Sequence, residues 1–208
     1  MQIGVEGVMA EITAKLVMEL RGKTGLGMMD CKKALQETGG DMEKAIDYLR
    51  KQGMAAVEKR AGREASEGLI VSYIHPGDRL GVLAEVNCET DFVARTDDFQ
   101  QFARDVAMHI AASRPLAVDR EDLEPALIER EHNIYLEQSK NEGKPEHIAE
   151  KIVAGRMDKY FQEVCLLEQA FVKNPDQTVN DLVIELTAKI GEKITIRRFA
   201  CFRLGEEK

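Results

Sequence analysis

Four cysteines and four histidines are the side chains here best able to ligate a metal or attack an electrophile, and their spacing suits neither task. Cys31, Cys88, Cys165 and Cys201 make no CxxC pair and have no neighbouring histidine, so no zinc set is expected. The pattern fits reduced thiols acting as small core residues in a cytoplasmic chain. His75, His109, His132 and His147 fall one to a segment, as surface or core histidines do. Cys88 has no basic neighbour to lower its pKa, which removes the best-placed nucleophile. Gly25-Leu26-Gly27 follows no strand and lacks the Lys-Ser/Thr pair of a phosphate loop. Without a nucleophile and its base, a metal set or a cofactor loop, the chain is expected to do no covalent chemistry and to hold no cofactor.

Thr90-Asp91-Phe92-Val93 offers chemistry of another kind. An aliphatic run over 80–86 predicts a buried strand, 87–91 is polar and turn-prone, and a helix can start near Asp97. That puts an acid and a bare aromatic on a loop tip between two rigid elements. A phenylalanine buries about 150–250 Å², so its insertion into another surface is worth at most about 4–6 kcal/mol at roughly 25 cal/mol per Å². Residue types alone leave two outcomes open: Phe92 and Val93 fold back onto their own core, or they stand out as a wedge.

The elements that would hold this loop predict an α+β fold. Ile12, Leu16 and Leu20 recur every fourth residue, 28–37 resumes a helix after a glycine-rich break, and Gly39-Gly40 closes it before Asp41 caps the next, whose inner face is Ala45, Ile46 and Leu49. These make a three-helix module over 9–54 that resembles ubiquitin-associated domains. Residues 1–8 precede it as an extension with neither a secretory nor a transit signal. An Ala- and Lys-rich stretch over 55–67 predicts a linker helix, and 68–208 a core domain. Met28 and Met29 are adjacent and so point about 100° apart, which lets at most one commit fully to the core. In the core domain, 68–74 and 80–87 flank His75-Pro76-Gly77-Asp78-Arg79 as an antiparallel hairpin, and Phe99, Phe102, Val106 and Ile110 mark a helix covering one face of a small sheet. Two charged amphipathic stretches within 121–164, joined at Gly143-Lys144-Pro145, predict a projecting helical hairpin. Thr178 and Asp181 have capping-box spacing for a helix ended by Gly191, and 193–204 completes the sheet, with Arg197-Arg198 upsetting its alternation as a bulge would.

The formal charge of −8 is concentrated after residue 66, and no basic stripe relieves it, so direct binding to a nucleic-acid backbone is not expected. No apolar run is long enough to span a membrane.

TGLGMMDCKKAL at 24–35 and TDFV at 90–93 together resemble the bacterial translation elongation factor Ts family, the guanine nucleotide exchange factors of elongation factor Tu. The likeness continues through MAEITAKLV at 9–17, IAEKI at 148–152, GRM at 155–157 and IRRF at 196–199. It implies binding to GDP-bound and nucleotide-free elongation factor Tu, and release of GDP in the elongation cycle of protein synthesis. By the same resemblance Thr90, Asp91, Phe92 and Val93 dislodge the partner's Mg²⁺, while Arg21, Met28 and Met29 grip its nucleotide-binding domain, with Lys15 and Lys32 as weaker candidates. Longer members carry two related halves where this chain has one, which implies a homodimer through exposed sheet edges or the 199–204 region. Two other classes stay open on residues alone: a binding module that does not accelerate exchange, and a thiol enzyme dependent on Cys31 or Cys88.

Overall fold

The computed structural model describes residues 12–142 and 145–206, so residues 1–8, the start of the module at 9–11 and Gly143-Lys144 of the expected turn lie outside the described residues. The chain divides into two compact units: one reaches to Glu64 and takes in Val183–Lys193, and the other comprises Ala65–Leu182 and the chain from Ile194 onward.

The first unit is built on α1 (Ala14–Thr24), α2 (Met28–Glu37) and α3 (Met42–Arg60). Their apolar stripes meet in a core of Val17, Leu20, Leu26, Cys31, Ala34, Leu35, Ala45 and Leu49. The first helix starts later than its four-residue spacing suggests. Thr13 caps it by accepting from the Leu16 N–H, and Ile12 packs on the core from outside the helix. Gly39 and Gly40 both adopt left-handed backbone, φ 64° and 83°, which lets the Gly40 N–H reach the Leu35 carbonyl at 2.8 Å and turns the chain onto Asp41, the cap of α3.

The 54/55 boundary falls inside α3, which runs unbroken to Arg60. No proline interrupts it, and Gly53 faces the Ile184 side chain so closely that a Cβ there would lie 2.8 Å from Cγ2. That side chain belongs to α8 (Val179–Ile190), whose later residues are part of this unit and whose Ala188 packs on its core.

In the second unit β1 (Glu67–Ile74), β2 (Leu80–Cys88) and β5 (Thr195–Arg203) form an antiparallel sheet in the order β1-β2-β5. The hairpin register runs from Glu67 opposite Cys88 to Ile74 opposite Gly81. Between β2 and β5 the register shifts after Glu85: Arg198 pairs with Glu85 and Ile196 with Val86, leaving Arg197 as the bulged residue. Val82, Ala84, Val86 and Cys88 point to one face of β2 and are buried there, where α5 (Asp97–Ser113) packs on β1 and β2 and buries Phe99, Phe102, Val106 and Ile110.

The expected helical hairpin is α6 (Pro125–Asn141) and α7 (Glu146–Val164), packed on each other. It begins at Pro125. Residues 120–122 instead form a 3-10 turn capped by Asp119, and the Arg120 guanidinium lies on the Phe161 ring at 4.3 Å and bonds Glu168 and Asp158. A short pair, β3 (Ala170–Phe171) and β4 (Asn174–Thr178), precedes α8, which Thr178 and Asp181 cap reciprocally: the Thr178 N–H donates to Asp181 Oδ2 at 2.9 Å and the Asp181 N–H to Thr178 Oγ1 at 3.1 Å.

Candidate interaction site

Beyond Cys88 the sheet ladder ends, and four residues wind into a single helical turn, α4 (Asp91–Ala94), in place of the expected loop tip. Two threonines make the turn. Thr90, in extended backbone, accepts the Val93 N–H on Oγ1 at 3.4 Å. Thr96 donates its hydroxyl to the Val93 carbonyl at 2.8 Å and accepts the Phe99 N–H, so one side chain closes this turn and opens α5. Asp91 sits at the positive end of the turn and pairs with Arg95 at 2.8 Å, one turn further on. The Cys88 thiol donates to the Thr90 carbonyl at 3.1 Å and fixes the turn to the end of β2.

This frame decides where the aromatic goes. Successive helical side chains are about 100° apart, so with Ala94 turned into the core and Val93 half-buried at its flank, Phe92 must face away. Its exposure is 78 %, so the Phe92 ring does not fold back onto its own core, whereas Val93 does so in part. Among the described residues nothing covers most of that ring, whereas a second surface would. The turn is thus a rigidly mounted apolar probe with a carboxylate beside it, suited to binding and displacement.

The residues expected to grip a partner from the amino-terminal module lie in the other compact unit. Arg21 is exposed on the last turn of α1, and Met28 and Met29 are the first two residues of α2. Neither methionine is committed to the core: Met28 is 46 % and Met29 74 % exposed. The limit of at most one methionine in the core therefore holds, with neither there, and the core of this module includes Leu26 and Cys31 on either side of them in sequence.

Two further features of the second unit bear on binding. Arg95 and Thr96 hold the wedge, and a threonine six residues after the first cap, just ahead of an acidic helix start, is the signal that could have shown it. The face of the sheet turned away from α5 is also open: Ile70, Ile74, Leu83 and Phe202 are exposed there, on strands whose other face is buried in β2 and half-buried along most of β1, and Arg198 bonds Glu85 on the open face at 2.6 Å. That bond holds the Glu85 carboxyl below the usual carboxylate range.

The thiols behave as expected of core residues: Cys31, Cys88 and Cys165 are buried and Cys201 half-buried, and none of the four forms a disulfide. Burial pushes the Cys165 thiol up to about 11. Among the described residues no group of three His, Cys, Asp or Glu could hold a metal ion, and no helix is long and apolar enough to cross a membrane.

The family model described as elongation factor TS matches residues 43–206. Elongation factor Ts of Geotalea daltonii is 60 % identical over 195 residues, 94 % of this chain and 90 % of its own. The elongation factor Ts proteins of Desulfitobacterium hafniense and Syntrophobacter fumaroxidans are each 59 % identical, over 198 and 197 residues, covering 95 % of this chain and 91 % and 98 % of theirs.

Proposed function

Because the chain belongs to the elongation factor Ts family, the guanine nucleotide exchange factors of elongation factor Tu, we propose that it drives GDP release with the capped turn at 90–93 as a wedge. Phe92 enters the partner beside the region that holds Mg²⁺, and Thr90, Asp91 and Val93 set its depth and direction. Once the divalent cation is dislodged, the phosphates of GDP lose charge compensation and the nucleotide leaves. The factor makes and breaks no covalent bond. Linkage supplies the driving force: a chain that binds the nucleotide-free partner better than the GDP-bound one weakens GDP binding by the same factor, and GTP entry then expels it. Thousandfold faster release needs about 4 kcal/mol, which one buried aromatic and a few polar contacts can provide.

Arg21, Met28 and Met29 serve as a second point of attachment, since a wedge works only against something that holds. The observation that carries this reading is the 78 % exposure of Phe92 on a turn capped at both ends. Stopped-flow release of a fluorescent GDP from elongation factor Tu tests it. The native chain should accelerate release and Phe92→Ala should lose most of that acceleration while still binding. A folded native chain that leaves the release rate unchanged would overturn the reading.

We further infer that the chain acts in the cytoplasm as a homodimer, paired through the open sheet face and the 199–204 region. Alternating apolar residues on three strands support this, as a second copy would cover Ile70, Ile74, Leu83 and Phe202 together.

A further inference from the structure

Sulfur at the start of α2 has a chemistry that partner binding does not use. Of the described methionines, Met42 packs on the core of the first unit and Met157 is buried in the second, while Met18 and Met54 stand singly at 63 % and 48 % exposure and Met28 and Met29 stand side by side at 46 % and 74 %. Their thioethers are open to oxidants. The core beneath them is completed by Leu26, Cys31, Ala34 and Leu35, so neither sulfur helps hold the module together. Converting a core methionine to its sulfoxide would place a polar S=O among apolar side chains and loosen the fold. Here the same change would leave the fold intact and alter only what the surface can bind.

We propose that Met28 and Met29 form a reversible oxidation site, at which a peroxide-class oxidant weakens the chain's hold on its partner without unfolding it. In the step, a thioether sulfur gives its lone pair to one peroxide oxygen. An S–O bond forms, the O–O bond breaks, and the second oxygen leaves with its own hydrogen and takes the proton of the transferred oxygen to become water. Sulfur is oxidised by two electrons and hydrogen peroxide is reduced by two. Methionine sulfoxide reductase reverses it, with two thiols supplying the electrons and forming a disulfide and water. Adjacency matters, because two side chains about 100° apart cover a wider arc of the contact than one does. A sulfoxide pressed into an apolar contact without a hydrogen-bond donor opposes association.

This rests on the reading that the amino-terminal module grips elongation factor Tu, and the experiment separates the two. The full chain is treated with graded hydrogen peroxide, oxygen uptake is mapped by peptide mass, melting is followed, and the factor concentration for half-maximal GDP release is measured. Met29 and Met28 should gain oxygen before Met157, with an unchanged melting temperature and a roughly tenfold rise in half-maximal concentration. Methionine sulfoxide reductase should restore the original value, and dithiothreitol alone should not. Met28→Leu/Met29→Leu should lose the sensitivity relative to its own untreated rate, and Met18→Leu/Met54→Leu, which removes two other exposed methionines, should keep it. Sulfoxides at 28 and 29 with no change in half-maximal concentration would overturn the proposal, as would rescue by dithiothreitol alone, which assigns the effect to a cysteine. Untreated Met28→Ala/Met29→Ala tests the grip by itself: native behaviour there removes the underlying reading, and weakened behaviour with indifferent sulfoxides removes the oxidation site alone.

Discussion

Truncating Phe92 to alanine should separate stability from exchange more cleanly than any other single change. The ring is 78 % exposed and makes little contact with its own fold, so its removal should cost no more than about 0.5 kcal/mol of stability, the range of ordinary surface substitutions. The same exposure sets what a partner could gain. Full burial of a phenylalanine is worth about 4–6 kcal/mol, and the exposed share leaves roughly 3–5 kcal/mol as an upper bound. Ordering and imperfect fit consume part of that, and central aromatic truncations at interfaces commonly cost about 2 kcal/mol or more. A loss of about 1.5–3 kcal/mol corresponds to a roughly ten- to hundredfold drop in exchange efficiency. Stopped-flow release of fluorescent GDP at a series of factor concentrations measures it, with a thermal melt of each variant in parallel. If Phe92→Ala melts as the native chain does and accelerates release within twofold of it, the wedge is not the source of exchange. If it melts far lower, the ring is structural and the argument from its exposure fails.

Three further outcomes follow from the same structure. Thr90→Val keeps the shape of the side chain but removes the cap on Val93, which should weaken the turn by about 1 kcal/mol and lower exchange less than Phe92→Ala, with Thr90→Ser restoring it. His109 is fully buried, its Nδ1 accepting from the Val172 N–H and its Nε2 donating to Gln169 Oε1, and burial holds its pKa below the ordinary 6.5. The unfolded chain therefore takes up this proton first as pH falls. Melts should show the His109 contribution intact above about pH 6.5 and lost progressively below it, and a folded His109→Gln variant should lose that part of the slope. Phe202→Asp sets a charge in the open sheet face, where the native ring is 61 % exposed, and light scattering should change from a dimeric to a monomeric mass; a native chain that is already monomeric at micromolar concentration would refute the pairing.

Sequence periodicity made the larger elements readable because each repeats its signal several times. Phe99 to Ile110 gives three helical turns of evidence, and β1 and β2 alternate around a turn whose proline and glycine are explicit. The reciprocal cap of Thr178 and Asp181 and the bulge at Arg197 were also readable, since each depends on few residues at fixed offsets. What escaped was too short or too distant. A four-residue helix has no period, so 91–94 read as a loop, and the polar strand at Asn174–Thr178 has no apolar alternation to betray it. At the site, the residue types of TDFV suggested a wedge, but the direction of Phe92 depends on Ala94 being buried, which is a tertiary fact.

Residues 183–193 give the first unit an unusual history. Ile184 and Ala188 pack there, Arg60 Nε donates to the Gly191 carbonyl at 2.9 Å, and the Lys193 ammonium donates to the carbonyls of Ala61 and Arg63 at 2.6 and 2.9 Å. On a ribosome adding about 5–20 residues per second, the segment that completes this unit emerges on the order of ten seconds after Glu64. The unit begun first therefore stays incomplete while most of the second is made. Until then its nascent helices lack a covering element, and a fragment ending near residue 64 would reproduce that interim state rather than the native module.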